Sequence, residues 1–568
     1  MTEIVPSLIS GLSFPKTMRW DKVGFHFARP IRWLVSLLDE EILPLQIAGL
    51  VADKITRGHR ILGEQNIVLR HPRDYEELLR ENYVLVDQDV RQKECWQQIC
   101  QVAHQQQGEV KENDVLLTEI TNLLEWPQAL GGSFSEEYLE LPPEVIITPM
   151  REQQRYFPVH DSAGNLLNYF ITVRNGGAAH LETVRIGNER VLKARLADAR
   201  FFWQEDLKIK LADYLPRLAR VIFQENLGTV AAKTKRLEVI VGQLAKKLCL
   251  KQTVLNHLLR AAKLAKADLV TNMVGEFPEL QGVMGYYYAL RSGEEREVAQ
   301  AIREHYQPRF SGDFTPPSLA GALLSLADKI DTLVGCFAIG IEPTGSQDPY
   351  ALRRQALGIC LILLDHRLEI GLDELIRLAV VNYHDHLSAA QLGEETVAQV
   401  KEFLRMRLKN ILGEKGYRYD ISEAVLATEG GDFSPLMAVQ RAEALSSMRD
   451  KEDFRRLLTA FTRAYNLTKT RNVGEIKPEY FQEESEKKLA QALEKAEEGL
   501  HPLWLSRDFA GIMVVLSQLS NYIDDFFVAV MVMCDNQEIR ENRLALLARF
   551  VSLTCYLGDL SKIVNTMV

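Results

Sequence analysis

Two glycines five positions apart, Gly340 and Gly345, open the stretch "GIEPTGSQDPYALRRQALG", which runs into a helical pattern. That spacing suits a loop whose backbone N–H groups cradle a phosphate. A Walker loop, however, needs Lys and Ser/Thr directly after its second glycine, to meet the β/γ-phosphates and Mg²⁺. Here Ser346 and Gln347 follow, and the lysine is absent. The segment reads better as a helix entrance. Asp348 serves as N-cap, Pro349 suits the first helical position, and Leu352, Ala356, Leu357 and Cys360 point inward.

Other residues with chemical potential are more scattered. Seven cysteines stand singly with no CxxC pair, which fits reduced thiols and gives neither a disulfide frame nor a zinc site. Two His–Asp dipeptides, His160–Asp161 and His384–Asp385, have the type of a metal pair, but the first falls in a turn. The stretch "RRLLTAFTRAYNLTKTR" carries Arg455, Arg456, Arg463, Lys469 and Arg471 with Phe461 and Tyr465 between them. Cations interleaved with rings suit single-stranded nucleic acid, where phosphates meet charge and bases stack. From Pro216 to Lys266 there are eleven Lys/Arg against two Glu. That run reads as solvated helix faces before it reads as a phosphate-binding patch.

These residues need a scaffold. The chain has 568 residues, 46% hydrophobic and 25% charged, enough for about three or four globular domains. Its net charge of −10 argues against coating nucleic acid with the whole surface. The longest uninterrupted apolar run, "FFVAVMVMC", has nine residues, well short of the ~20 that span a bilayer. The first residues lack a basic and apolar leader. Residues 1–215 alternate apolar runs with turns. "RYFPV" and "YFITV" read as strands around an Asp161–Asn165 turn, with helices in 72–107 and 116–125. Beyond Leu215 helical periods dominate, broken by the polar stretch 472–488, which reads as a connection.

The last two helices are the clearest. Ile512, Leu516, Leu519, Ile523, Phe526, Val530 and Met533 share one face of a helix over 512–533. A second helix, with Asp535 as N-cap and Glu538 closing a capping box, buries Leu546, Leu547, Phe550, Leu553 and Leu557. Arg543 falls in that apolar face, so its guanidinium must be paired, with Asp524 or Asp525 as the expected partner. Arg540 and Arg549 are placed more freely to meet phosphate.

"PTGSQDPYALRRQALG" resembles the β subunit of bacterial heterotetrameric glycyl-tRNA synthetase. So, in the same order, do "RGHRILG", "LPPEVIITPMREQQRYFPV", "GNERVLKARLADARFFWQED", "KADLVTNMVGEFPELQGVMG" and "DDFFVAVMVMCDNQEIRENRLALL". The family opens with a segment containing "EIGTEELP" that this sequence does not show. The resemblance implies a multidomain α+β protein. Its expected parts are a remnant of an N-terminal α/β module over 1–70, a B3/B4-like α/β module over 71–215, and an HD-like helical domain over 216–365. A helical linker over 366–435 and a helical anticodon-binding domain over 436–568 complete it.

The resemblance further implies tRNA recognition here, with ATP, Mg²⁺ and glycine handled by the α subunit of a cytoplasmic α₂β₂ enzyme, no catalytic residue in this chain, and no membrane. No HIGH or KMSKS motif is present. The implied RNA contacts are Arg455, Arg456, Arg463, Tyr465, Lys469, Arg471, Arg540 and Asn542, with Arg151, Gln153, Gln154 and Arg155 facing the acceptor end or forming an exposed strand edge. The HD dipeptide reads Ala267–Asp268, so Asp268, His305 and Asp328 are expected as structural remnants of a metal site. Alternatives are an HD-type metal-dependent phosphohydrolase and a non-catalytic protein scaffold.

Overall fold

The computed structural model describes residues 2–20, 24–345, 347–384, 387–427, 433–449, 451–469 and 474–564. It divides into two compact units. One comprises residues 1–209 with 271–281, the other 210–270 with 282–568.

In the first unit, residues up to 70 form two-residue antiparallel ladders such as Met18–Arg19 with His26–Phe27. The helical stretch 72–107 resolves into Tyr75–Glu81 and α1 (Gln88–Gln105), and α2 spans Asp114–Leu123. Asp87 and Asn113 cap α1 and α2 through their side chains. A three-stranded antiparallel sheet follows, built from β1 (Pro127–Ser133), β2 (Phe157–His160) and β3 (Leu166–Asn175) in the order β2-β3-β1. As the spacing predicts, Asp161 closes the β2–β3 turn, accepting from the Ala163 and Asn165 N–H groups at 2.9 and 2.8 Å. Ile99, Ala103, Leu117 and Ile120 pack with Phe157, Val159 and Ile171 in one core. A long helix, α3 (Leu181–Asp206), ends where Asp206 accepts from the Asn272 and Met273 N–H groups. Those bonds fasten 271–281 to this unit, although it lies within the stretch 216–365.

The second unit is helical. It begins with α4 (Val230–Lys247), α5 (Gln252–Leu264), α6 (Val283–Arg291) and α7 (Arg296–Glu304); α4, α5 and α7 pack against α8 (Leu319–Ala338), and α6 packs on α7. Every residue of α8 from Gly321 to Ala338 is buried, so this helix is apolar all round apart from Ser325, Asp328, Lys329, Asp331 and Thr332. A Cβ at Gly335 would collide with the Tyr383 hydroxyl, which lets α8 and the Tyr383 ring approach closely.

Then come α9 (Leu352–Asp365), α10 (Leu372–Val380), α11 (Glu394–Glu414) and α12 (Tyr419–Leu426). Asp348 does cap α9, accepting from the Leu352 and Arg353 N–H groups at 2.7 and 3.0 Å. The helix nonetheless starts at Leu352 and not at Pro349, because Ala351 takes a left-handed turn, φ 51°, immediately before it. The unit closes with α13 (Pro435–Met448), α14 (Glu452–Thr468), α15 (Glu484–Leu505), α16 (Phe509–Ala529) and α17 (Gln537–Thr554).

Helix α16 is by length and composition apolar enough to cross a membrane, which the count of uninterrupted apolar residues missed. Its Ile512, Leu516, Leu519, Ile523 and Phe526 are fully or almost fully buried among neighbouring helices. All seven cysteines are unpaired. The fold class is the expected multidomain α+β, with the sheet in the first unit and helices throughout the second.

Candidate nucleic-acid interface and a buried ion network

The expected HD-type positions of the second unit, Asp268, His305 and Asp328, are all buried. Asp328 places one carboxylate oxygen 3.0 Å from the Lys233 ammonium and the other 2.9 Å from that of Lys266. Burial opposes the charge on Asp328, but the two lysines outweigh it and hold the carboxyl well below its usual range. His305 is fully buried, with Nδ1 2.6 Å from the Ile302 carbonyl, and burial beside Lys266 holds it neutral. Asp268 turns an oxygen to the Gly282 and Gly285 N–H groups at 2.6 and 3.0 Å. Burial raises its carboxyl to about 6.

These residues do not fit a divalent ion. Both oxygens of Asp328 are engaged by ammonium groups, whose charge repels a second cation. The dipeptide His160–Asp161 lies in the first unit, at the end of β2 and its turn, and Asp385 lies outside the described residues.

The network extends one turn along α8. Asp331 accepts from Arg236 Nε at 2.6 Å and Nη2 at 3.1 Å, and from Lys233 at 3.0 Å. Arg236 also stacks 4.2 Å from the Tyr383 ring centre and bonds its hydroxyl. The basic run 216–266 is therefore not a set of solvated faces throughout. Lys233, Arg236 and Lys266 are buried, while Lys247 and Arg260 pair with Glu374 and Glu294.

Lys329, 4% exposed, donates to the Gln307 carbonyl and the Ser325 hydroxyl. Burial lowers its pKa to about 7; Asp328 resists the shift, and Lys266 and Lys233 add to it. An unfolded lysine titrates near ~10.4, so from pH 7 upward the unfolded chain binds more protons and stability rises with pH. Below about pH 7 the penalty for the buried charge is fully present. Lys329→Met is expected to stabilise the protein at pH 6 and to lose most of that advantage by pH 9, a change of roughly 2–3 kcal/mol. Chemical denaturation at both pH values checks it; an advantage that does not vary with pH sinks the assignment.

The cation- and ring-bearing residues gather on α14, on two faces. Arg456 and Arg463 are seven residues apart, two turns of one face, and that face meets α16. Arg463 lies 3.1 Å from Asp524 and 4.1 Å over the Phe527 ring. Arg455 is exposed elsewhere on the helix, and Lys469 is exposed at its C-cap. Tyr465 is half-buried and stacks on buried Phe461, ring centres 5.4 Å apart. Arg471 lies outside the described residues.

Helix α17 differs from expectation in four respects. Asn536, not Asp535, is its N-cap, accepting from the Glu538 and Ile539 N–H groups. Arg543 is buried and paired, but with Glu486 at 2.9 Å in place of Asp524 or Asp525. The partner comes from α15, which no local spacing reveals. Asn542 is 3% exposed and accepts from the Lys477 N–H at 2.6 Å, so it fastens the chain before α15. Arg540 donates to the Cys534 carbonyl, and Arg549 is taken up by Glu497 at 2.6 Å. The expected inward residues Leu546, Leu547, Phe550, Leu553 and Leu557 are all buried, whereas Met533, past the end of α16, is 44% exposed.

In the first unit Arg151 and Gln153 belong to a π-helical turn, Pro149–Gln153, with Gln154 directly after it; none lies on a strand edge. Arg155, at φ 59°, pairs with Glu119 at 2.7 Å.

The sequence profile described as "Glycyl-tRNA synthetase beta subunit" matches residues 1–427, and that of the "DALR anticodon binding domain" matches 457–554, which fall on α14 to α17. The glycine–tRNA ligase beta subunit of Desulforamulus reducens is 46% identical over 564 residues, covering 99% of this chain and 81% of the relative. That of Moorella thermoacetica is 47% identical over 566 residues, with the same coverage. The Clostridioides difficile protein of the same name is 43% identical over 564 residues, again 99% and 81%. These similarities favour a tRNA-handling reading over a phosphohydrolase or a bare scaffold.

Proposed function

Since the chain belongs to the glycyl-tRNA synthetase beta subunit family, we propose that it holds tRNA for glycine–tRNA ligase through its C-terminal helices while bond formation takes place on the α subunit. The assembly we infer is an α₂β₂ heterotetramer in the cytoplasm, with ATP and Mg²⁺ used at the α subunit. The observation that supports this most directly is the coincidence of the anticodon-binding match with α14–α17, where Arg455, Arg456 and Lys469 reach solvent. Exposed cations close to a ring–guanidinium contact suit a phosphate backbone with splayed bases.

Glycylation by the chain assembled with its α subunit tests the reading. The triple variant Arg455→Ala, Arg456→Ala, Lys469→Ala is expected to raise KM for tRNA at least about tenfold with kcat little changed. Its salt dependence should be shallower by roughly two to three in log–log slope, one counterion term per lost phosphate contact. An unchanged KM and slope removes α14 from the RNA surface.

A further inference from the structure

The HD-like resemblance implies a divalent ion among Asp268, His305 and Asp328, yet the charge these residues meet is an ammonium. Lys266, just past the end of α5, is 5% exposed, and its Nζ lies 2.9 Å from Asp328 Oδ2. The same Nζ sits 4.0 Å from the centre of the Tyr306 ring, a cation–π contact inside the helix layer. The His305 ring lies 3.9 Å from that of Tyr306, within electrostatic reach of both Lys266 and Asp328. Asp268, held by the Gly282 and Gly285 N–H groups, adds a second negative field at Lys266. Burial opposes the Lys266 charge, and Asp328 is the main group that supports it.

His305 is set up as a metal-ligating imidazole would be. Its Nδ1 lies 2.6 Å from the Ile302 carbonyl and so carries the proton. That leaves a lone pair on Nε2, which is buried and has no hydrogen-bond partner among the described residues. The carboxylates are balanced from within the chain. Arg236 and Lys233 both reach Asp331, and Lys266 supplies the further cation for Asp328. A divalent ion added to this arrangement would meet an ammonium across a few ångströms of poorly screened space.

We propose that the Lys266 ammonium stands in for the divalent ion, so that the pocket is charge-balanced without a metal and becomes a divalent-cation site when that side chain is cut back. Lys233 stays on the other oxygen of Asp328, so the ligands released are Asp328 Oδ2 and His305 Nε2, with water in the vacated space. Carboxylate, imidazole and water suit Mn²⁺, whereas thiolates prefer softer ions, so the seven cysteines do not compete for this probe. The inference stands apart from the tRNA-binding reading.

The test compares the full chain with its Lys266→Ala and Lys266→Met variants. Bound Mn²⁺ is counted by electron paramagnetic resonance of the free ion, and stability is read from thermal unfolding. The wild-type midpoint is expected to be the same in EDTA and in Mn²⁺. Lys266→Ala should gain about one equivalent of Mn²⁺, at least about tenfold tighter than any wild-type binding, and its lowered midpoint should rise with the ion. Ethylammonium, a small amine cation, should raise it too. Lys266→Met fills the space without a charge and should show neither rescue. Adding His305→Ala to Lys266→Ala should weaken Mn²⁺ binding at least about tenfold.

If Lys266→Ala does not fold, soluble chain recovered on refolding with Mn²⁺ or ethylammonium is the readout, and recovery with neither overturns the proposal. Mn²⁺ uptake by a folded Lys266→Ala no greater than that of wild type overturns it as well. So does a wild-type midpoint that falls in EDTA and returns with Mn²⁺, because the pocket would then already hold a metal.

Discussion

Asp331→Ala is expected to destabilise the helical unit by about 3–5 kcal/mol, enough to abolish most soluble protein at 37 °C. Asp331 is fully buried and accepts from Arg236 twice and from Lys233 once. Removing it takes a carboxylate partner from two buried cations. Lys233 still reaches Asp328 at 3.0 Å, but Arg236 keeps only the Leu227 carbonyl and the hydroxyl and ring of Tyr383. The cost comes mostly from the orphaned guanidinium, so Arg236→Met should recover part of it. The double variant Arg236→Met, Asp331→Ala is expected to be less destabilised than the sum of the singles by at least about 1 kcal/mol. Chemical denaturation of the three proteins measures that coupling, and strict additivity would show that the pair does not act as a unit.

The same network shows what sequence reasoning could and could not see. Helix α8 is buried along almost its whole length, yet "LADKIDTL" places two aspartates three residues apart inside it. Carboxylates on a helix buried all round must meet cations. The sequence reading takes Asp328 as a remnant of a metal site and the basic run 216–266 as solvated faces, whereas Lys233, Arg236 and Lys266 turn inward to meet the two carboxylates. Nothing local linked the two, because Lys233 and Asp331 are 98 residues apart in the chain and Lys266 and Asp328 are 62 apart.

Regular helical faces, by contrast, were readable from spacing alone, as the burial of Ile512, Leu516, Phe550 and Leu553 shows. Caps were readable to within a residue or a turn. Asp535 and Asn536 are both good capping types, and only the backbone geometry chooses between them. Asn542 was misplaced for a related reason: a polar residue flanking an apolar face looks solvated until a separate segment, here Lys477, covers it. In the candidate site, Arg456 and Arg463 could be assigned to one face of α14 from their spacing. The opposing Asp524 and Phe527 could not be matched to Arg463 without the fold.

Arg543→Met should weaken the C-terminal bundle by about 3–5 kcal/mol and raise KM for tRNA with it, because one guanidinium joins three parts of that bundle. Arg543 Nε lies 2.9 Å from Glu486 on α15, and Nη1 donates at 3.0 Å to the Met531 carbonyl in the α16–α17 connection. Glu486 is itself fully buried and uses its other oxygen to accept from the Gln482 and Glu483 N–H groups, closing the capping box of α15. Loss of Arg543 leaves that carboxylate charged, dry and held in place by the cap, so it cannot turn to solvent.

Arg543→Lys is not expected to rescue the bundle, since an ammonium cannot span Glu486 and the Met531 carbonyl in the plane the guanidinium supplies. Glu486→Gln keeps an oxygen for the cap and removes the stranded charge, so paired with Arg543→Met it should restore at least about 1 kcal/mol relative to Arg543→Met alone. Thermal unfolding and glycylation on the same four proteins separate the outcomes. If stability falls and KM for tRNA does not, the α15–α17 junction is scaffolding remote from the RNA. If neither moves, the buried pair contributes nothing beyond its own desolvation.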